Sequence, residues 1–135
     1  MVISADNLNL PQASESRRRV LIAEDEILIR MDIADTLREQ GWEVVEAGTA
    51  DDALAVLARD QQLEMVLTDV HMPGSHTGLD LARMVKQSYR HIKVAVMSGQ
   101  HRPSDDDRNL FDLFLQKPVP NIVSALSPLA DNIDD

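Results

Sequence analysis

Residues 64–74, EMVLTDVHMPG, hold an unbroken apolar run that stops at Asp69 and gives way to a Pro-Gly loop. A strand covered on both faces reads this way, and the carboxylate that ends it belongs at the rim of a sheet, not inside it. Four more short runs rich in Val, Ile and Leu flank this one: Arg19–Ala23 (RVLIA), 42–47 (WEVVEA), 92–97 (IKVAVM) and Leu113–Gln116 (LFLQ). Strand three itself is placed at 64–68, ending at Asp69.

Between the strands the period changes to that of amphipathic helices. Ile29, Ile33 and Leu37 form one stripe across 26–40, with Gly41 as the stop. Thr49 is a natural N-cap, with Asp52 three residues on, for a helix whose apolar face holds Ala53, Leu54 and Leu57. Leu81, Ala82 and Val85 mark a third helix over 79–88, and 122–129 a last one that Pro128 terminates or bends. In the stretch QHRPSDDDRNL, Ser104 could cap a helix with Asp107 answering it, but apolar anchors are missing until Leu110 and Phe111, so this helix is expected to be short or irregular. Strand and helix alternating in this way imply an α/β fold: a five-stranded parallel sheet, doubly wound, with helices on both faces.

The 135 residues and 44% hydrophobic content suit a single core. Residues 1–17 lack periodicity and are read as a flexible arm before a folded domain at 18–133. A net charge of -10, with Arg17, Arg18 and Arg19 the one basic cluster, argues against nucleic-acid binding. With no cysteine and no apolar stretch of membrane-spanning length, the expectation is a cytoplasmic protein free of disulfides and thiolate metal sites. The four histidines do not fall at metal-ligand spacing and are read as exposed or structural, and Met65 and Met97 as core.

In doubly wound sheets the reactive crevice lies beyond the C-terminal ends of the strands. Strand one ends at Glu24 and Asp25, strand three at Asp69, strand four at Ser98 and strand five at Lys117. Carboxylates gathered at one sheet edge repel unless a cation offsets them, and an all-oxygen set suits Mg²⁺. A free oxygen of Asp69 could then attack phosphorus and give an acyl phosphate. Phosphoryl transfer needs its oxygens neutralised, and Lys117 and Ser98 supply an ammonium and a hydroxyl for that.

Taken together, VLIAEDE at 20–26, LTDVHMPG at 67–74, MSG at 97–99 and QKP at 116–118 resemble the signatures of the CheY-like (flavodoxin-like) receiver domains of two-component response regulators. The resemblance implies a single-domain response regulator, not an enzyme. It implies phosphorylation of Asp69 by a sensor histidine kinase or a histidine phosphotransfer protein. Mg²⁺ would be held by Glu24, Asp25, Asp69 and the backbone carbonyl of His71, and the phosphoryl oxygens by Ser98 and Lys117. Phe114 stands where these proteins often carry a switch aromatic. Signalling would proceed by shape change and contact with a downstream protein, as monomer or phosphorylation-dependent dimer, or the domain would serve as a phosphate sink.

Three features depart from the family pattern. The acidic pair opens with Glu24 where many relatives have Asp. The loop after Asp69 is one residue longer before its glycine, and the interval from Ser98 to Lys117 is shorter by about one helical turn. His71 and Gln100, each two residues past a site residue, are placed to tune the lifetime of the acyl phosphate. The competing readings are a small Mg²⁺-dependent aspartyl-phosphate phosphatase or phosphotransferase, against which stand His71 where a general acid is wanted and the lack of a cap segment, and a degenerate receiver serving only as a binding module.

Overall fold

The computed structural model describes residues 18–100 and 104–133; the arm assigned to 1–17 lies outside them. The chain runs β1 (Arg19–Ala23), α1 (Ile27–Glu39), β2 (Glu43–Ala47), α2 (Ala50–Arg59), β3 (Met65–Asp69), α3 (Gly78–Ser88), β4 (Lys93–Ser98), a 3-10 turn (Asp107–Leu110), β5 (Leu113–Gln116) and α4 (Ile122–Ile133). All neighbouring strands are parallel, in the order β2-β1-β3-β4-β5. This is the doubly wound α/β sheet expected from the alternation of apolar runs and helical stripes.

Period-two alternation within each strand divides the core between the two faces. Leu21, Ala23, Val66, Val94 and Val96 point to the side covered by α2 and α3, where Ala53, Leu57, Leu81 and Val85 are buried. Val20, Ile22, Met65, Leu67, Ala95 and Met97 point to the other side, covered by Ala34 and Leu37 of α1 and by Leu126 and Leu129 of α4. Each fully buried aliphatic side chain contributes about 1.5–3 kcal/mol relative to exposure, so the central strands, whose side chains are inaccessible, hold most of this stabilisation. On α1, by contrast, Ile27, Leu28 and Met31 are exposed. No described helix is long and apolar enough to cross a membrane.

The local signals act as expected at several ends. The Thr49 side chain accepts a hydrogen bond from the Asp52 amide at 3.0 Å. Gly41, at φ 90°, donates to the Arg38 carbonyl and closes α1. Because the Trp42 amide then turns back to the Leu37 carbonyl, β2 begins one residue later than the apolar run suggests, at Glu43. The loop before α3 is anchored by a reciprocal pair that the sequence reading did not single out: Thr77 accepts from the Asp80 amide and Asp80 accepts from the Thr77 amide.

Among the described residues, the stretch where a fourth full helix would stand holds a four-residue 3-10 turn, which buries no residue. Ser104 and Asp107 do answer each other, at 3.3 and 3.4 Å. Of termination or bending at Pro128, termination is corrected: α4 continues to Ile133 with Pro128 inside it. The proline has no amide hydrogen for the Ser124 carbonyl, but Leu126, Leu129 and Ala130 are buried on either side of it and hold both turns against the sheet.

Asp112 finishes the outer edge of β4. Its amide donates to the Val94 carbonyl, its Oδ2 accepts from the Val94 amide at 2.8 Å, and both carboxylate oxygens lie 2.6 Å from Lys86 Nζ. Replacing Asp112 with Ala leaves the Val94 amide without its acceptor and should cost about 2 kcal/mol, whereas Asn, which keeps an oxygen there, should cost less. Urea unfolding of the two variants checks this; equal losses would mean that the Lys86 ion pair dominates instead.

Candidate functional site

The strand register gathers the polar strand ends on one rim. Ala23 pairs with Thr68 and Asp69 with Met97, so Glu24 falls beside Asp69, while Ser98 pairs with Gln116 one step further on. Glu24, Asp69 and Ser98 are buried polar groups in an otherwise apolar rim. A buried carboxylate requires partners. Glu24 has them at four points: its amide donates to the Ala47 carbonyl, its carbonyl accepts from Arg30 Nη1 at 2.8 Å, its Oε2 accepts from the Glu26 amide, and its Oε1 lies 2.8 Å from Lys117 Nζ.

Lys117 joins the two acidic strand ends. The same Nζ lies 3.3 Å from Asp69 Oδ2, and the Lys117 amide donates to the Ser98 carbonyl, which fixes the start of its side chain. The Lys117–Pro118 peptide bond is cis. Burial pushes the Glu24 carboxyl up and the nearby Asp69 charge adds to this, while the hydrogen bonds from Lys117 and the Glu26 amide oppose it; the net direction is upward. For Lys117 burial pushes down, but the hydrogen bond to Glu24 and the charges of Asp69 and Glu24 outweigh it, so its pKa is raised and the ammonium is kept.

Glu24, Asp25 and Asp69 can each turn one carboxylate oxygen to within 4.8 Å of the others. Three hard oxygen donors from two adjacent strand ends, with room for water at the rim, fit an ion of the Mg²⁺ type better than a softer metal.

His71 and Gln100 touch the site through their main chains, the His71 amide reaching Asp69 Oδ1 at 3.4 Å and the Gln100 amide reaching Ser98 Oγ at 3.2 Å. Phe114 lies outside the cluster. It pairs with Val96 on the face of α2 and α3, half-buried, with its ring 6.2 Å from that of Phe111. His76, read as exposed or structural, has a structural contact: its Nδ1 lies 2.6 Å from Asp51 Oδ1, and Ser75 Oγ donates to Asp51 Oδ2, which ties the loop after β3 to the start of α2. The hydrogen bond from His76, followed by that from Ser75, holds the Asp51 carboxyl below its usual range.

Two residues of the site's framework escaped the sequence reading. Arg30 carries no motif signal, because its side-chain partner Glu46 is 16 residues away and its contact with Glu24, six residues back, is to the main-chain carbonyl. Gly78 was visible as a loop glycine, but not that its α-carbon lies against the Asp69 carbonyl.

Comparison with known proteins agrees with this rim. A sequence profile of the response regulator receiver domain matches residues 20–122. The chain is 53% identical over 83 residues to the transcriptional regulatory protein PdtaR of Mycobacterium tuberculosis, covering 61% of this chain and only 39% of that protein's length. It is 36% identical over 118 residues to the two-component response regulator ORR3 of Oryza sativa, covering 83% of this chain and 89% of that one. A response regulator receiver protein from Pseudomonas putida superposes with a TM-score of 0.74 at 28% identity, over 86% of this chain and 97% of that one. Receiver domains are typically signalling modules and generally bind Mg²⁺ through acidic residues. With the strand order, the converging strand ends and these relatives in agreement, the chain belongs to the CheY-like response regulator receiver domains of two-component signalling.

Proposed function

We propose that residues 18–133 form a receiver domain that accepts a phosphoryl group on Asp69 from a histidine kinase or a histidine phosphotransfer protein. The observation that supports this most is Lys117 Nζ lying between Glu24 Oε1 and Asp69 Oδ2, at 2.8 and 3.3 Å, with the Asp25 carboxylate alongside. An ammonium so placed leaves a cation facing the oxygens of an incoming phosphoryl group.

In the transfer, an Asp69 carboxylate oxygen forms a bond to phosphorus as the donor's phosphorus–nitrogen bond breaks, and the electron pair stays on the imidazole nitrogen. Lys117 pairs with one phosphoryl oxygen and the Ser98 hydroxyl donates to another. Glu24, Asp25, Asp69 and the backbone carbonyl of His71 would hold Mg²⁺, which when bound would neutralise charge on the carboxylate and phosphoryl group. Shape change then carries the signal to a downstream protein, with Phe114 as the aromatic that turns inward.

The deciding experiment is incubation with Mg²⁺ and a small phosphodonor such as acetyl phosphate. The expected product is an acid-stable, base-labile mass gain of one phosphoryl group in the wild type, absent in Asp69→Asn; an adduct that survives this substitution places the acceptor elsewhere. His71→Ala and Gln100→Ala should alter the decay rate of that adduct several-fold, because both positions border the line of attack of water. Unchanged decay in both would remove their tuning role.

A further inference from the structure

The end of β1 is braced from behind by a side chain that touches neither the phosphoacceptor nor the proposed metal. Arg30 stands in the first turn of α1, on the stripe that continues into buried Ala34 and Leu37. Its Nη1 donates to the Glu24 carbonyl at 2.8 Å and its Nε to Glu46 Oε1 at 3.1 Å. Glu46 is held in turn by Arg38, whose Nη1 reaches Glu46 Oε2 at 3.1 Å and whose Nη2 reaches the Val44 carbonyl at 3.0 Å. Gly48 leaves the guanidinium this room without adjustment: a β-carbon there would sit 3.3 Å from Arg30 Nη1, which would have to give by a few tenths of an ångström.

The position of this brace is informative. The Glu24 amide still bonds across to the Ala47 carbonyl of β2, but β1 ends at Ala23, and the Glu24 carbonyl takes its hydrogen bond from Arg30. That carbonyl shares a rigid peptide plane with the Asp25 amide. Fixing it therefore fixes where the Asp25 α-carbon, and with it the Asp25 carboxylate, leaves the strand. A cation this close to an acidic metal site opposes metal binding by charge alone.

We infer that Arg30 is a positioning residue for the acidic pair: through the Glu24 carbonyl it holds Glu24 and Asp25 in the arrangement that binds the divalent cation. This rests on the metal-site reading above. Loss of an outer partner of a ligand weakens metal binding by about tenfold or more, so positioning and charge predict opposite signs for removal of Arg30.

The test titrates MgCl₂ calorimetrically into wild type, Arg30→Met, Arg38→Met and Arg30→Lys, each first shown to be folded by circular dichroism. Arg30→Met should bind Mg²⁺ about tenfold more weakly than wild type, while Arg38→Met, which also removes one positive charge, should stay within about twofold or bind more tightly. Arg30→Lys keeps the charge but loses the planar fork, and should fall between the two. In metal-free protein the NMR resonance of the Asp25 amide should broaden in Arg30→Met. Tighter or unchanged Mg²⁺ binding in both Arg30 variants overturns the inference, as does an unperturbed Asp25 amide. Should Arg30→Met not fold, Arg30→Lys decides by the same two readouts. Wild type without Mg²⁺ affinity would sink the metal-site reading, and the metal-free amide measurement would still decide whether Arg30 holds the pair.

Discussion

In metal-free buffer at neutral pH, Lys117→Met should lower the unfolding free energy by about 3 kcal/mol, a large part of the 5–15 kcal/mol typical of a domain. The cause is Glu24. Its side chain is fully buried, and among the described residues its carboxylate has one cationic partner, Lys117. With the ammonium gone, burial and the Asp69 charge act on Glu24 opposed only by the Glu26 amide, so its pKa, already raised, rises further. A carboxyl whose folded pKa exceeds its unfolded value binds more protons when folded, so stability is lost as pH rises through that window and regained on acidification. The deficit of Lys117→Met should therefore be largest at neutral pH and shrink as the buffer is acidified. Adding Glu24→Gln should restore part of the loss, since the fully buried carboxylate is gone and only Asp69, slightly exposed, is left without its ammonium. Urea unfolding in EDTA at two pH values checks both points, and a pH-independent deficit would mean that lost packing of the lysine stem, not an unpaired carboxylate, is responsible. Mg²⁺ should raise the melting temperature of Lys117→Met more than that of wild type, because the cation replaces the missing positive charge.

That experiment concerns residues visible from the sequence alone, and the reason is physical. Glu24, Asp69, Ser98 and Lys117 each stand at the C-terminal end of a strand run, with Asp25 next to Glu24, and in a parallel sheet all such ends point the same way, so their convergence follows from topology without knowledge of any contact. The run RVLIA coincides with β1 for a similar reason, because residues buried on both faces leave a contiguous signal, whereas LFLQ coincides with β5 although only Leu115 in it is buried. What stayed hidden depends on pairing between distant segments. Arg30 reads as an ordinary charged residue on a helix until Glu46 is placed beside it, and Asp112 reads as a loop carboxylate until its Oδ2 is found on the Val94 amide. The stripe of Ile29, Ile33 and Leu37 located α1 but gave no reason for exposed Ile27, Leu28 and Met31 beside it. Pro128 shows a local rule overridden, because burial on both sides of the proline outweighs one missing helical hydrogen bond.

Gly78→Ala should be more damaging still, and its sign opposes the local expectation. Gly78 is the first residue of α3, where Ala is the better helix former by up to about 1 kcal/mol. Its backbone needs no left-handed conformation, so strain in φ plays no part. The obstacle is space: a β-carbon there would lie 1.7 Å from the Asp69 carbonyl oxygen, 2.7 Å from the Asp69 carbonyl carbon and 2.9 Å from the Val70 α-carbon. These are all backbone atoms, and the Gly78 amide donates to the Val70 carbonyl at 2.9 Å across the same contact, so no flexible side chain can give way. Either α3 moves off the sheet, uncovering Leu81, Ala82 and Val85, or the end of β3 moves and takes Asp69 with it. The cost should exceed the 1–3 kcal/mol usual for overpacking, at about 4 kcal/mol, with phosphoryl acceptance reduced in whatever fraction remains folded. Gly99→Ala is the matched control, because its β-carbon would meet Lys117 Cβ at an ordinary 3.8 Å, and it should stay within about 0.5 kcal/mol of wild type. Denaturant unfolding of the two variants side by side decides the matter: a Gly78→Ala protein as stable as Gly99→Ala would show that α3 does not pack its first residue against the strand that ends at Asp69.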